Sequence, residues 1–263
     1  MSNFHEDGII ILDFGSQYTQ LIARRIREQH VHSEIMSPDV SIEVIQERSP
    51  KAIILSGGPS SVYEDSSPKY DSKLFAMDIP ILGICYGLQL MAHHYNGQVK
   101  SSSHGEYGFA LINIMNSEHL FQSVSGNTQV WMSHMDRVTQ MPPGWEVMAE
   151  SSNGVVAAMG HVESKRFATQ FHPEVNHTVE GETILNNFLF KIAGCSPDWT
   201  AGNFIHKHVE KIRETIAGKR VLVGVSGGVD SSVVAALLNK AIGEQSIAVL
   251  IDHGLMRKNE AGQ

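Results

Sequence analysis

The chain has 263 residues but only two cysteines, Cys85 and Cys195. One pair cannot make the framework of a disulfide-stapled secreted scaffold, and a reducing compartment would keep both as thiols. Long apolar runs are missing too. None approaches the roughly 18 residues of a membrane span, and the N-terminal "MSNFHEDG" is acidic, without the apolar segment of a secretory signal. A cytoplasmic protein with no membrane partner is expected, and the sequon at Asn176 has no meaning there. Basic clusters are also scarce. Twenty Lys and Arg stand against 28 Asp and Glu, a formal net charge of −8, so no window neutralises a phosphate backbone and nucleic acid is not an expected partner. Histidines number 14, yet His30/His32 and His206/His208 lack carboxylate or cysteine company at ligand spacing, so no metal site is expected. Core material is not lacking: 42% of residues are hydrophobic, enough for one large domain or two smaller ones.

Organisation follows from the pattern of apolar residues. Up to about residue 95, short apolar runs such as "GIIILDFG", "KAIILSGG" and "IPILGI" alternate with amphipathic segments such as "QYTQLIARRIREQH". Continuous runs suit strands buried on both faces, and the three-to-four-residue spacing of Leu21, Ile22 and Ile26 suits a helix with one wet face. That order predicts a parallel α/β sheet with right-handed crossovers. From Gln98 to Gln170 the pieces are shorter and β-leaning, separated by turns such as "MPPG" and "SSNG", so sheet continues with little helix. A helical pattern "GETILNNFLFKIAG" closes this unit, with Gly194 as its C-cap. "CSPDWTAGN" reads as a linker. Beyond it come a helix, the strand "KRVLVGV", the loop "SGGVDSS", a helix and the strand "SIAVLID". Two strands and two helices cannot cover both faces of a sheet, so this second unit is expected to be a beginning without its remainder, in a truncated chain. The domains are set at 1–198 and 199–263.

Chemistry concentrates at "GICYG". A cysteine flanked two residues away by Gly83 and Gly87, where a buried strand gives way to a helix, has the pattern of a nucleophile elbow. Small residues are needed there because a strained turn brings backbones too close for side chains. The partial positive charge of a helix N-terminus favours a thiolate at that position. Cys195, at a helix end, reads as an ordinary buried thiol. A nucleophile needs a base, and "QFHPEV" sets His172 and Glu174 two residues apart after a β pattern, so that the carboxylate can orient the imidazole. Glycine turns leave backbone N–H groups free for a developing oxyanion, and "LSGGP" around Gly58 and the amide of Tyr86 at the new helix are the candidates.

"GICYGLQ", "LSGGP", "WMSHMDRV" and "QFHPE" together resemble the signatures of the class I, triad-type glutamine amidotransferases, across nearly all of residues 8–195. The resemblance implies a flavodoxin-like fold with a mostly parallel central sheet flanked by helices. It further implies a Cys85, His172, Glu174 triad that splits the glutamine carboxamide, releases ammonia and hydrolyses a glutamyl thioester. Gly58 and Tyr86 would form the oxyanion hole, and Gln89, Ser133 and His134 would lie near the bound glutamine.

"VLVGVSGGVDSSVVAALL" is a strand, a glycine turn and a helix, which is the arrangement for an anion held on backbone N–H groups. It lacks the spacing and lysine of a Walker A loop. Ser226, Gly227, Gly228, Val229, Asp230, Ser231 and Ser232 instead resemble the pyrophosphate loop of the N-type ATP pyrophosphatases, a Rossmann-like fold, with Asp252 at the end of the next strand. The order of the two units resembles the glutamine-hydrolysing ligases that adenylate xanthosine 5′-monophosphate (XMP) with Mg-ATP and let ammonia displace AMP, giving GMP. That family implies ATP and Mg2+ as cofactors, glutamine, ATP and XMP as substrates, and a homodimer formed through a C-terminal domain. Of that activity, a chain ending here is expected to retain the glutaminase site and the ATP loop. Two alternatives stand beside this reading: a stand-alone cysteine amidase of the same fold, and a non-catalytic nucleotide-binding or regulatory module.

Overall fold

The computed structural model describes residues 8–250, which form two compact units, 8–197 and 198–250. The first unit begins β1 (Ile9–Leu12), α1 (Thr19–Glu28), β2 (Ser33–Met36), α2 (Ile42–Arg48), β3 (Ala52–Leu55), β4 (Ile81–Ile84) and α3 (Tyr86–His94). It continues with β5 (Gln98–Ile114), β6 (Asn127–Gln140), β7 (Glu146–Ser151), β8 (Val156–His161), β9 (Arg166–Thr169) and α4 (Gly181–Asn186).

Every residue of β1, β3 and β4 is buried, which is why those strands are unbroken apolar runs. Successive side chains go to opposite faces. Ile9, Ile11, Ile54, Leu82 and Ile84 pack on one side of the sheet, and Ile10, Leu12, Ile53, Leu55 and Ile81 on the other. In α1, Thr19, Ile22, Ala23 and Ile26 are buried, whereas Arg24 pairs with Glu28 on the wet face at 2.8 Å.

The nine strands lie in the order β2-β1-β3-β4-β9-β8-β7-β5-β6. Strands β2, β1, β3, β4 and β9 run parallel, and β8, β7, β5 and β6 extend the sheet by antiparallel pairings. One of these pairings makes the site. β9 returns from far along the chain to lie beside β4, with Leu82 opposite Phe167 and Ile84 opposite Thr169, so residues that follow the two strands emerge at the same edge.

The closing helix differs from the single run expected. α4 gives way to one stretch of π-helix, Asn187–Ile192, at the point where the Asn187 side chain donates to the carbonyls of Leu120 at 3.0 Å and Gln122 at 2.8 Å. Gly194 follows with φ of +67°, the left-handed conformation of a helix stop.

The second unit holds α5 (Ala201–Ile216), β10 (Val221–Val225), α6 (Val229–Ile242) and β11 (Ser246–Leu250). The Thr200 side chain caps α5 by accepting from Asn203 N at 3.2 Å, and β10 pairs with β11 in parallel. α6 begins at Val229, earlier than the predicted start at Val233, because Gly228 supplies the N-cap and the Ser231 and Ser232 hydroxyls donate back to its carbonyl. Among the described residues, no helix is long and apolar enough to cross a membrane.

Candidate active site

β4 ends at Ile84 and α3 begins at Tyr86, so Cys85 alone makes the turn, at φ 54° and ψ −100°. A non-glycine residue in that region is strained, and the surroundings must hold it there. The flanking glycines explain how. A Cβ on Gly83 would lie 2.6 Å from the Gly87 backbone, and one on Gly87 would lie 2.5 Å from the Leu55 carbonyl oxygen. No side chain fits at either position.

The neighbouring β9 ends at Thr169, and the segment that follows it carries His172 and its carboxylate partner. His172 Nδ1 lies 2.8 Å from Glu174 Oε1, and the same ring lines one cavity with Cys85 and feels the charge of its sulfur. Nδ1 faces Glu174, so Nε2 is the ring nitrogen left for the sulfur. His172 and Glu174 are both buried. Burial works against a charged imidazole here, but the Glu174 carboxylate and the Cys85 sulfur outweigh it and push His172 up to about 10. The Thr178 hydroxyl donates to the His172 carbonyl at 2.6 Å, Arg25 Nε donates to the Glu174 carbonyl at 3.0 Å, and the Tyr18 ring stands edge-on to the imidazole at 5.0 Å. Cys85 and His172 open into a cavity of about 380 Å³ whose lining also includes Gly58, Gln89, Ser133 and His134. A thiol, an imidazole aligned by a buried carboxylate, and a small polar cavity beside them constitute the equipment for acyl transfer.

The sequence profile described as glutamine amidotransferase class-I matches residues 10–192. The chain belongs to the class-I glutamine amidotransferase family. A second profile, described as NAD synthase, matches residues 200–261. A GMP synthase (glutamine-hydrolyzing) of Oceanobacillus iheyensis is 52% identical over 252 residues, 96% of this chain and 49% of that protein. One of Brachyspira hyodysenteriae is 51% identical over 97% of this chain and 49% of its own length. The chain thus spans about half the length of these curated relatives. A solved structure from Thermoplasma acidophilum, described as that of a candidate GMP synthase subunit, is 32% identical with a TM-score of 0.65, over 73% of this chain and 96% of that one. A glutamine amidotransferase from Thermotoga maritima, 18% identical with a TM-score of 0.55 over 92% of this chain and 98% of that one, shares the fold.

Within the amidotransferase unit, each expected residue has a definite place. Gly58 lines the cavity, and a Cβ there would sit 2.5 Å from the Phe14 carbonyl oxygen. Tyr86 turns its ring into the core against Phe14, centroids 5.2 Å apart, and its hydroxyl is pushed up to about 12, chiefly by burial. Its backbone N–H is the first of α3 and so has no acceptor inside the helix. The Ser133 carbonyl accepts from the Cys85 thiol at 3.6 Å. Gln89 donates to the Asp136 carbonyl at 3.0 Å. His134 has both ring nitrogens engaged by protein atoms, Nδ1 at 3.0 Å from the Asp136 carbonyl and Nε2 at 3.1 Å from Glu106 Oε2. Burial pulls His134 down, against the opposing pull of Glu106. Cys195 is buried in the core, away from the cavity lining.

Sequence reasoning missed Glu106, Gln170, Tyr18 and Arg25. Gln170 was visible as the first residue of "QFHPE", but nothing local indicates which way its amide turns. Arg25 and Tyr18 come from α1 and its approach, and only the fold brings them near residue 172.

In the second unit, Ser226, Gly227 and Gly228 link β10 to α6, and Val229, Asp230, Ser231 and Ser232 are the first residues of that helix. Gly227 has φ of +74°, and the Ser231 hydroxyl accepts from Ser226 N at 3.2 Å, which curls the loop over the N-terminus of α6. Asp230 stands in the first turn. Asp252 lies outside the described residues. Among the described residues, no group of three or more His, Cys, Asp or Glu could hold a metal ion.

Proposed function

We propose that the first unit, residues 1–198, is the glutaminase of a glutamine-hydrolysing GMP synthase, and that residues 199–263 begin its ATP pyrophosphatase domain. The observation that carries this reading is His172, aligned by the buried Glu174 carboxylate, sharing one cavity with the Cys85 sulfur. The Cys85 thiolate attacks the carboxamide carbon of glutamine. Backbone N–H groups of Gly58 and Tyr86 receive the oxyanion. His172 Nε2–H gives its proton to the departing nitrogen, ammonia leaves, and a glutamyl thioester remains. His172, now neutral, takes a proton from water, whose oxygen attacks the thioester, and glutamate departs with the thiolate restored. Glu174 holds the ring throughout and stabilises the imidazolium whenever it is present. Gln89, Ser133 and His134 line the glutamine side of the cavity.

Ser226, Gly227, Gly228, Val229, Asp230, Ser231, Ser232 and Asp252 are assigned to ATP. The N–H groups at the start of α6 suit a pyrophosphate, and Asp230 offers a carboxylate to a Mg2+ ion carried by the phosphates. The whole protein would adenylate XMP and use the ammonia to make GMP, as a cytoplasmic homodimer. Supporting this is the activity named for relatives near 50% identity over almost all of this chain.

The test uses the 263-residue chain and glutamine. Glutamate release by wild type, its loss in Cys85→Ala, and alkylation of Cys85 alone by a diazo-ketone analogue of glutamine are the expected results. Equal glutamate release from wild type and Cys85→Ala would remove the sulfur from the mechanism.

A further inference from the structure

A continuous line of buried polar groups runs through the amidotransferase unit to the Cys85 sulfur, and its polarity can be read step by step. It starts at Glu106 on β5, whose Oε1 accepts from the Ser151 hydroxyl and from Asn153 Nδ2, both at 2.8 Å. Its Oε2 faces His134 Nε2 at 3.1 Å, while His134 Nδ1 faces the Asp136 carbonyl at 3.0 Å. A carbonyl can only accept, so Nδ1 carries a proton. The same Asp136 carbonyl lies 3.0 Å from the Gln89 amide, which must therefore present its NH2. That NH2 lies 3.4 Å from one end of the Gln170 amide, which must then be the oxygen. The other end is the NH2, and it points to the Cys85 sulfur at 3.6 Å. The amide orientation at residue 170 is thus dictated by an acceptor two links away. Gln170 is fully buried, Gln89 and His134 nearly so.

We propose that Gln170 is a further catalytic residue of this site, a fixed N–H donor that holds the Cys85 sulfur as thiolate, with Gln89 as the positioning residue that passes on the polarity set by the Asp136 carbonyl. The proposal rests on the glutaminase reading for its place in the reaction but not for its test. A neutral thiol has another partner, since its S–H donates to the Ser133 carbonyl. Loss of that proton leaves the carbonyl facing a negative sulfur and leaves the Gln170 N–H as a matched donor. Hydrogen bonding to the charged form favours it, and a bond to a charged group is the stronger kind. The charged or titratable groups that share the cavity with the sulfur or back those that do are His172 with Glu174 behind it, from the segment after β9, His134 and Asp136 of β6, Glu106 and Tyr107 of β5, and Tyr18 ahead of α1. Gln170 is not among the residues that line the cavity, so its effect should fall on the sulfur and spare substrate binding.

The experiment follows alkylation of Cys85 by iodoacetamide as a function of pH in the full chain, with no glutamine present, alongside glutamate release. In Gln170→Met the alkylation profile moves to higher pH by about one unit, and kcat falls about tenfold with KM unchanged. In Gln170→Glu, which keeps the shape but sets a carboxylate against the sulfur, the profile moves further the same way. Gln89→Met, which frees the Gln170 amide to turn over, moves it by less in the same direction; should both position-170 variants fail to fold, this variant decides. Unmoved profiles in the folded variants would overturn the proposal. A shifted profile in a chain that releases no glutamate would uphold the role of Gln170 and defeat the glutaminase reading.

Discussion

His172 carries the largest electrostatic consequence of any residue in the site. Its pKa is about 10 in the folded chain against an ordinary 6.5, so between those values the native state holds a proton that the unfolded chain releases. The stability this contributes is fully present below about pH 6.5 and is lost as pH rises through about 10. The denaturant midpoint should therefore fall across that window in wild type and stay flatter in Glu174→Gln, where the main opposing charge is gone. In the proposed glutaminase reaction, catalysis follows the same proton. Glutamate release should persist into alkaline solution and decline as the imidazolium that protonates the leaving nitrogen is depleted near pH 10. In Glu174→Gln that limb should move to lower pH, with kcat down about a hundredfold. A variant whose alkaline limb coincides with that of wild type would mean that Glu174 does not set the charge on His172.

At the scale of elements, the elbow depends on how closely α3 approaches β3. Gly87 rides directly over the Leu55 carbonyl, and neither a buried strand nor the first turn of a helix can give way by much. Gly87→Ala should cost about 1–3 kcal/mol in chemical denaturation, the range for overpacking a well-filled interior. It should also abolish glutamate release by displacing Cys85. Gly126→Ala is the matched control, because a Cβ there meets nothing within 4 Å. Comparable losses in the two variants would show that the close approach at Gly87 is not what matters.

At the scale of the molecule, the two units differ in how completely their strands are covered. β1, β3, β4 and β9 are buried at every position, whereas, among the described residues, the two-stranded sheet of the second unit leaves Leu222 70% exposed, and Val229 at the start of α6 is 79% exposed. A sheet of two strands with uncovered apolar faces opens at little cost. Amide hydrogens of β10 and β11 should therefore exchange orders of magnitude faster than those of β3 and β4. Equal protection in hydrogen exchange would contradict this.

What the residues determined without help was local. Unbroken apolar runs named the central strands because a strand covered on both faces has no polar position to show. Gly83 and Gly87 named the elbow because nothing larger survives that turn, and "QFHPE" paired His172 with Glu174 because a spacing of two after a strand suffices to bring them together. The long antiparallel extension was legible only as β-leaning texture, and the π-turn at Asn187 not at all, since the acceptors of that side chain are Leu120 and Gln122, more than sixty residues away. The meeting of Cys85 with His172 was decided by β9 returning to pair with β4. The direction of the Gln170 amide was decided by a carbonyl on another strand, because the polarity of a buried hydrogen bond is set by whatever lies opposite, and in a folded chain that is rarely a neighbour in sequence.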